Sequence, residues 1–302
     1  MTLTAFILIV ISAALHATWN LLAKKNHITI PYYALISTTA AVLWCPTLFW
    51  TPIRLGQMPG AFWGFMAASL SADILYCAGL VMSYRRLEMA TAYPAMRALP
   101  IVLTAAITSL VGWGKPLSAA AVTGFAIVFI GSMLMPLSRF ADFKWRNYFN
   151  RNIGFILLTA CGTTGYTIFD SQCLHRLAAD LPDFSGVTRS ITYYSLRELS
   201  LSASLWIVIA VSSVCRKDLR QIVRERNYTP FLAGLIAGAT YVLVLLAMNY
   251  VTNVSYVQVF RQLGLPIGMA AGVLILKEKC PPVKLLGISL ILTGLAIAAL
   301  LQ

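Results

Sequence analysis

Long apolar stretches separated by short polar breaks run the whole length of the chain. They fall at about 3–23, 30–51, 60–82, 89–111, 117–136, 153–173, 190–214, 230–250, 253–276 and 283–301. Each is close to the roughly 20 apolar residues that a bilayer-crossing helix requires. The pattern therefore predicts an all-α integral membrane protein of ten transmembrane helices. The first stretch reads as a span rather than a signal peptide, because Met1–Thr4 carries no positive charge and Trp19-Asn20 follows in place of a cleavage site. The polar breaks of any length are 137–152, 174–188 and 215–229. The first of these separates five spans from five. The expected organisation is a first repeat over 1–136, a basic connecting loop over 137–152 and a second repeat over 153–302.

Composition agrees with the pattern. Of 302 residues, 59% are apolar and 11% charged, with a mean hydropathy of +0.77. A soluble domain averages about 45–50% apolar and about 25% charged. So few charges do not cover a globule of 33.0 kDa in water, which excludes a soluble enzyme, a disordered chain and a nucleic-acid-binding domain. The net charge of +13 is explained by position. Breaks after odd-numbered spans hold sixteen of the 23 Lys and Arg, and breaks after even-numbered spans hold four. Cytoplasmic loops gather Lys and Arg. The count predicts both termini on the outer side, periplasmic in a bacterial inner membrane. The six cysteines (45, 77, 161, 173, 215 and 280) form no CxxC, so no disulfide, metal site or cofactor is expected.

The two halves look related. Gly124 and Gly131 stand seven apart in span five, as Gly287 and Gly294 do in span ten, at an offset of 163. Arg97 precedes Pro100 in span four and Arg261 precedes Pro266 in span nine, at an offset of 164. Met82-Ser-Tyr84 and Met248-Asn-Tyr250 lie 166 apart. Five is odd, so a duplicated half enters the membrane inverted. Inverted repeats mark secondary transporters that work by alternating access.

These features resemble the EamA-type permeases of the drug/metabolite transporter superfamily. The resemblance rests on His16-Ala-Thr-Trp19-Asn20-Leu-Leu-Ala-Lys24, on Tyr93-Pro-Ala-Met-Arg97-Ala-Leu-Pro100, and on Lys277-Glu278-Lys279 ahead of Gly287 and Gly294. It departs from the family pattern at Gly112-Trp-Gly-Lys115, where an acidic turn is usual. The resemblance implies ten helices as two inverted five-helix repeats, with spans five and ten packed together through their glycines. Export is the family's commoner direction. Gly264, Gly268 and Gly272 recur every four residues in span nine, a spacing that lets helices approach closely.

Six charged residues fall inside spans: Asp73, Arg97, Asp170, Arg197, Glu198 and Arg261. A charge near the bilayer centre costs about 2.5–3.5 kcal/mol on insertion scales, so such residues face a cavity or a partner. Arg97 and Arg261 are equivalent in the two halves and present two forks that suit a carboxylate or phosphate. The competing expectation is a structural ion pair such as Arg97 with Asp73. Asp73, Glu198 and His16 are candidates for carrying a coupling proton. Arg197 and Glu198 are adjacent, about 100° apart on a helix, and are not expected to pair with each other. Asp170 lies near the expected end of span six and is read as interfacial. Tyr93, Gln258, Trp19 and Asn20 add polar tips to the candidate substrate site.

The function expected is secondary transport, as an exporter, of a small polar metabolite bearing a carboxylate. Amino acids, amino-acid derivatives and metal-chelating metabolites all fit. A multidrug or cation exporter is the alternative. A membrane enzyme is disfavoured because no HExxH, CxxC or paired-His motif occurs. The partners expected are the substrate and the lipid bilayer, with no nucleic acid, and a monomer.

Overall fold

The computed structural model describes residues 1–23, 29–86, 89–142, 153–277 and 280–300; side chains at 19–23, 84, 89–94 and 275–276 lie outside the description. Among the described residues all regular structure is helical. The helices are α1 (Leu3–Ala23), α2 (Ile30–Trp44), α3 (Thr47–Trp50), α4 (Gly60–Arg86), α5 (Met89–Val111), α6 (Ala119–Leu134), α7 (Ile153–Asp180), α8 (Gly186–Val211), α9 (Ser213–Arg224), α10 (Thr229–Met248), α11 (Val254–Phe260), α12 (Gly264–Leu276) and α13 (Pro282–Leu300).

Seven apolar helical stretches are long enough to cross a membrane, beginning at Ile30, Gly60, Ile153, Gly186, Thr229, Val254 and Pro282. Three further apolar stretches, Leu3–Thr18, Ala95–Val111 and Ala119–Leu134, are shorter. The surface is that of a membrane protein. Phe49, Leu110 and Leu300 are 87%, 86% and 81% exposed, while Asp73, Asp170, Arg197, Glu198 and many Ser and Thr are buried. Apolar side chains outward and charges inward is an arrangement that lipid stabilises and water does not.

Local chemistry sets the breaks. Hydroxyl and amide side chains cap helix starts: Thr29 accepts from the Tyr32 amide, Ser118 from Ala121, Ser185 from Thr188 and Asn253 from Ser255. Pro46 ends α2 because it has no N–H to continue the ladder. Pro266 acts one turn upstream. Its missing N–H frees the Gln262 carbonyl, and Arg261–Leu263 tightens into a 3₁₀ turn between α11 and α12. Span nine is therefore one helical run, Val254–Leu274, that tightens at Arg261. Pro100 instead lies within an unbroken α5. Gly112 (φ 72°) and Gly114 (φ 114°) make the turn after α5. A Cβ on Gly114 would lie 3.0 Å from the Thr252 carbonyl oxygen, so glycine is required there for two reasons.

The principal pairings are α4 with α7, α6 with α13, α1 with α10, α2 with α8, α2 with α10, α5 with α7, α5 with α6 and α1 with α12. The α6–α13 contact is reciprocal. A Cβ on Gly124 would sit 2.6 Å from the Gly294 carbonyl oxygen, and one on Gly294 would sit 2.6 Å from that of Gly124. Gly131 and Gly287 repeat the relation at 2.7 and 3.0 Å. The backbones touch because neither helix carries side-chain bulk at the crossing. Gly79 and Gly162 do the same for α4 and α7, where Cβ atoms would lie 2.7 Å from the Thr159 amide nitrogen and 2.5 Å from that of Tyr76.

Candidate functional site

The centre of the bundle is a charge cluster built from three helices. α8 supplies Arg197 and Glu198, α4 supplies Asp73 and α7 supplies Asp170. Arg197 is 3% exposed and meets all three acids. Its Nη2 contacts Asp73 Oδ2, its Nε lies 3.3 Å from Asp170 Oδ2, and its Nη1 donates to Glu198 Oε1 at 2.8 Å. Its guanidinium carbon stands 4.5 Å from the Tyr241 ring centroid and 5.7 Å from that of Tyr166. Buried charges without such partners are strongly destabilising, so this arrangement holds the core in one packing.

The three acids are unequally served. Asp170 is fully buried, accepts from the hydroxyls of Tyr193 (2.6 Å), Ser69 and Tyr241, and forms an ion pair with Arg197. Glu198 accepts from Ser37 Oγ at 2.8 Å and from Arg197. Asp73 has the Arg197 contact. One guanidinium against three carboxylates gives a formal sum of 1 − 3 = −2.

Three expectations are corrected. Asp73 pairs with Arg197, and not with Arg97 as the competing expectation had it. Arg197 and Glu198 do bond each other, because the Arg side chain is long and jointed enough to swing back across the angle between them. Asp170 is not interfacial. α7 runs on to Asp180, beyond the apolar stretch, which leaves Asp170 inside the bundle.

A second, basic centre lies close by. Arg97 Nη1 is 3.1 Å from His16 Nε2. A guanidinium only donates, so His16 accepts there and keeps its own proton on Nδ1. Gln262 Nε2 donates to the Arg97 carbonyl at 3.0 Å, which ties the turn carrying Arg261 to α5. A Cβ on Gly264 would lie 3.6 Å from Arg97 Nη2. Because Gln262 adjoins Arg261 in sequence, its bond to Arg97 brings the segments that carry the two arginines to one locality. Arg261 lies 5.9 Å from the Tyr241 ring, and its Nη1 is buried with no hydrogen-bond partner among the described residues. Tyr241 thus touches both centres: Arg197 and Arg261 both stand near its ring, and its hydroxyl bonds Asp170.

Gln258 is buried on α11 and accepts from Thr167 at 3.4 Å. Gly268 lies against Ala17, 3.7 Å from where its Cβ would be, and the Gly272 carbonyl accepts the Lys277 amide that closes α12. Trp19, Asn20 and Tyr93 have side chains outside the description, and Glu278 and Lys279 lie outside the described residues. A row of rings crosses the bundle. Tyr76, Tyr166, Tyr241 and Tyr194 follow one another at centroid spacings of 5.7, 6.0 and 6.3 Å. A cavity of about 260 Å³ opens beyond Asp170 and is lined in part by Ser171, His175, Arg189 and Asn249. Among the described residues no group of His, Cys, Asp and Glu has the arrangement of a metal site.

No protein-family model matches the chain, and no curated protein matches it in sequence. The fold does have relatives, with 27 solved chains matching. One, described only as the crystal structure of a protein, aligns with a TM-score of 0.69 over 98% of this chain and 97% of its own, at 14% identity. That likeness establishes a shared fold.

Proposed function

We propose that the protein is a secondary transporter of a small carboxylate-bearing metabolite, working by alternating access and related to the EamA-type permeases. The observation that carries this reading is the basic centre. Arg97 meets His16, Gln262 beside Arg261 bonds the Arg97 carbonyl, and Arg261 Nη1 is a buried donor lacking a partner among the described residues. Such a donor costs about 1–3 kcal/mol when unsatisfied. A substrate carboxylate or phosphate would satisfy it. The 3₁₀ turn at Arg261 adds a local irregularity, a feature often found at functional hinges.

The ten-helix inverted repeat is part of the proposal. Exchange of the first five apolar helices with the second five maps α1–α10 onto α7–α4 and α5–α7 onto α12–α1. The same exchange returns α2–α8 and α6–α13 to themselves. The reciprocal Gly124–Gly294 contact is what a twofold axis produces. We assign the coupling proton to the acid cluster. Three carboxylates around one guanidinium do not all ionise without strong mutual repulsion, and Asp73 has the fewest donors to hold its charge. Both termini are assigned to the outer face.

A cation exporter is the second reading, favoured by the formal −2 of the cluster. Untargeted profiling of metabolites in cells and medium, with and without the gene, separates the readings. A carboxylate metabolite depleted from the medium of the knockout supports the first. An unchanged carboxylate profile together with new sensitivity to organic cations supports the second.

A further inference from the structure

The stretch 215–229, a charged loop by composition, contains the amphipathic helix α9 (Ser213–Arg224) between two apolar helices. At 100° per residue, Arg216, Lys217, Arg220 and Arg224 fall within about 100° of one another on the helix circumference. All four are exposed. The opposite face is docked. Cys215 and Leu219 pack with Ala34, Leu205 and Ile209, and Ile222 packs with Tyr32, Ile36 and Ala233. Ile36 is in the second turn of α2 and Ile209 is in the last turn of α8. α9 is thereby fixed at the rim of the apolar belt, where headgroups lie. Val214 and Val223 are 52% and 67% exposed along it, and Tyr228 just ahead of α10 is 71% exposed, apolar surface that suits the boundary between headgroups and acyl chains. Asp218, off the basic arc, is taken up by Arg85 of α4 at 2.7 Å, and Arg216 donates to the Ala210 carbonyl at the end of α8, which leaves Lys217, Arg220 and Arg224 without an acidic partner among the described residues.

We infer that α9 is a docking surface for the anionic phospholipid headgroups of the leaflet on its side of the membrane. The basic face supplies the charge, the docked face fixes its depth, and α8 connects the surface directly to Arg197 and Glu198. Basic residues at such a surface each favour anionic lipid by about fivefold, with attraction that salt weakens.

The full chain, reconstituted in nanodiscs of phosphatidylcholine with a minority of phosphatidylglycerol, tests this by the ratio of the two lipids retained after purification, read by mass spectrometry. The wild type should enrich phosphatidylglycerol, and the K217Q/R220Q/R224Q variant, which keeps the Arg216 bond to α8, should lose about tenfold or more of that enrichment. In pure phosphatidylcholine the two should unfold at the same temperature. Equal enrichment by the variant overturns the proposal. A lower unfolding temperature of the variant in pure phosphatidylcholine also overturns it, by making α9's charges structural. Loss of enrichment on adding millimolar inorganic phosphate at constant ionic strength assigns α9 to free phosphate, and likewise overturns it.

Discussion

Arg197 Nη1 donates to Glu198 Oε1 across 2.8 Å, although the two residues are neighbours in one helix. The bond matters because the same guanidinium also reaches Asp73 and Asp170. A single cation therefore joins α4, α7 and α8. Removing it leaves three carboxylates facing one another in a site closed to water. Arg197→Ala should lower stability by about 3–5 kcal/mol. Glu198→Gln, which keeps an acceptor for Ser37 and sheds a negative charge, should cost far less. Thermal unfolding in detergent, compared between the two variants, checks the order.

The glycine crossing makes a second prediction. A side chain on Gly294 has the Gly124 carbonyl 2.6 Å from its first carbon, while one on Gly64 meets nothing within 4 Å. Gly294→Leu should separate α6 from α13 and cost about 1–3 kcal/mol or more. Gly64→Leu should leave the unfolding midpoint in detergent within the spread of the wild type.

Much of the fold was legible in the sequence. Apolar length announces a membrane helix directly, and the expected starts at 3, 30, 60, 89 and 153 match α1, α2, α4, α5 and α7. The site was less legible. Partners depend on helix rotation, and one residue of drift turns a side chain about 100°. Sequence reasoning therefore found the buried charges but did not find the Asp73–Arg197 pair, and the alternative it weighed, Arg97 with Asp73, named another arginine. It also placed Asp170 at the interface, because the polar run after Leu174 hides a helix that continues to Asp180. Tyr193, Ser69 and Tyr241 were not separable in advance from the many other hydroxyls of apolar helices. A tyrosine spaced to face a buried acid is the signal that would have singled them out. α9 was hidden for the opposite reason, since its charge outweighs its docked residues.

A third prediction concerns the coupling proton. If Asp73 carries it, Asp73→Asn should abolish uphill transport driven by a pH gradient yet preserve exchange of labelled for unlabelled substrate across vesicles. The same substitution removes a charge from an acid-rich cluster, so the protein should remain folded. Gradient-driven accumulation that survives in Asp73→Asn moves the proton elsewhere.

The topology offers a fourth. With sixteen basic residues in the breaks on one side and four on the other, a reporter fused after Gln302 should be active when it folds only outside the cytoplasm. A reporter that fluoresces only in the cytoplasm should stay dark in the same position.

The most direct measurement of the central claim is substrate exchange in vesicles containing the wild type, Arg97→Gln, Arg261→Gln or Arg85→Gln, assayed with a panel of labelled carboxylates and organic cations. The account predicts exchange of at least one carboxylate by the wild type, about tenfold or greater loss in Arg97→Gln and Arg261→Gln, and wild-type rates in Arg85→Gln, whose partner is the surface residue Asp218. Carboxylate exchange that is unchanged in both central variants, or confined to cations, would contradict it.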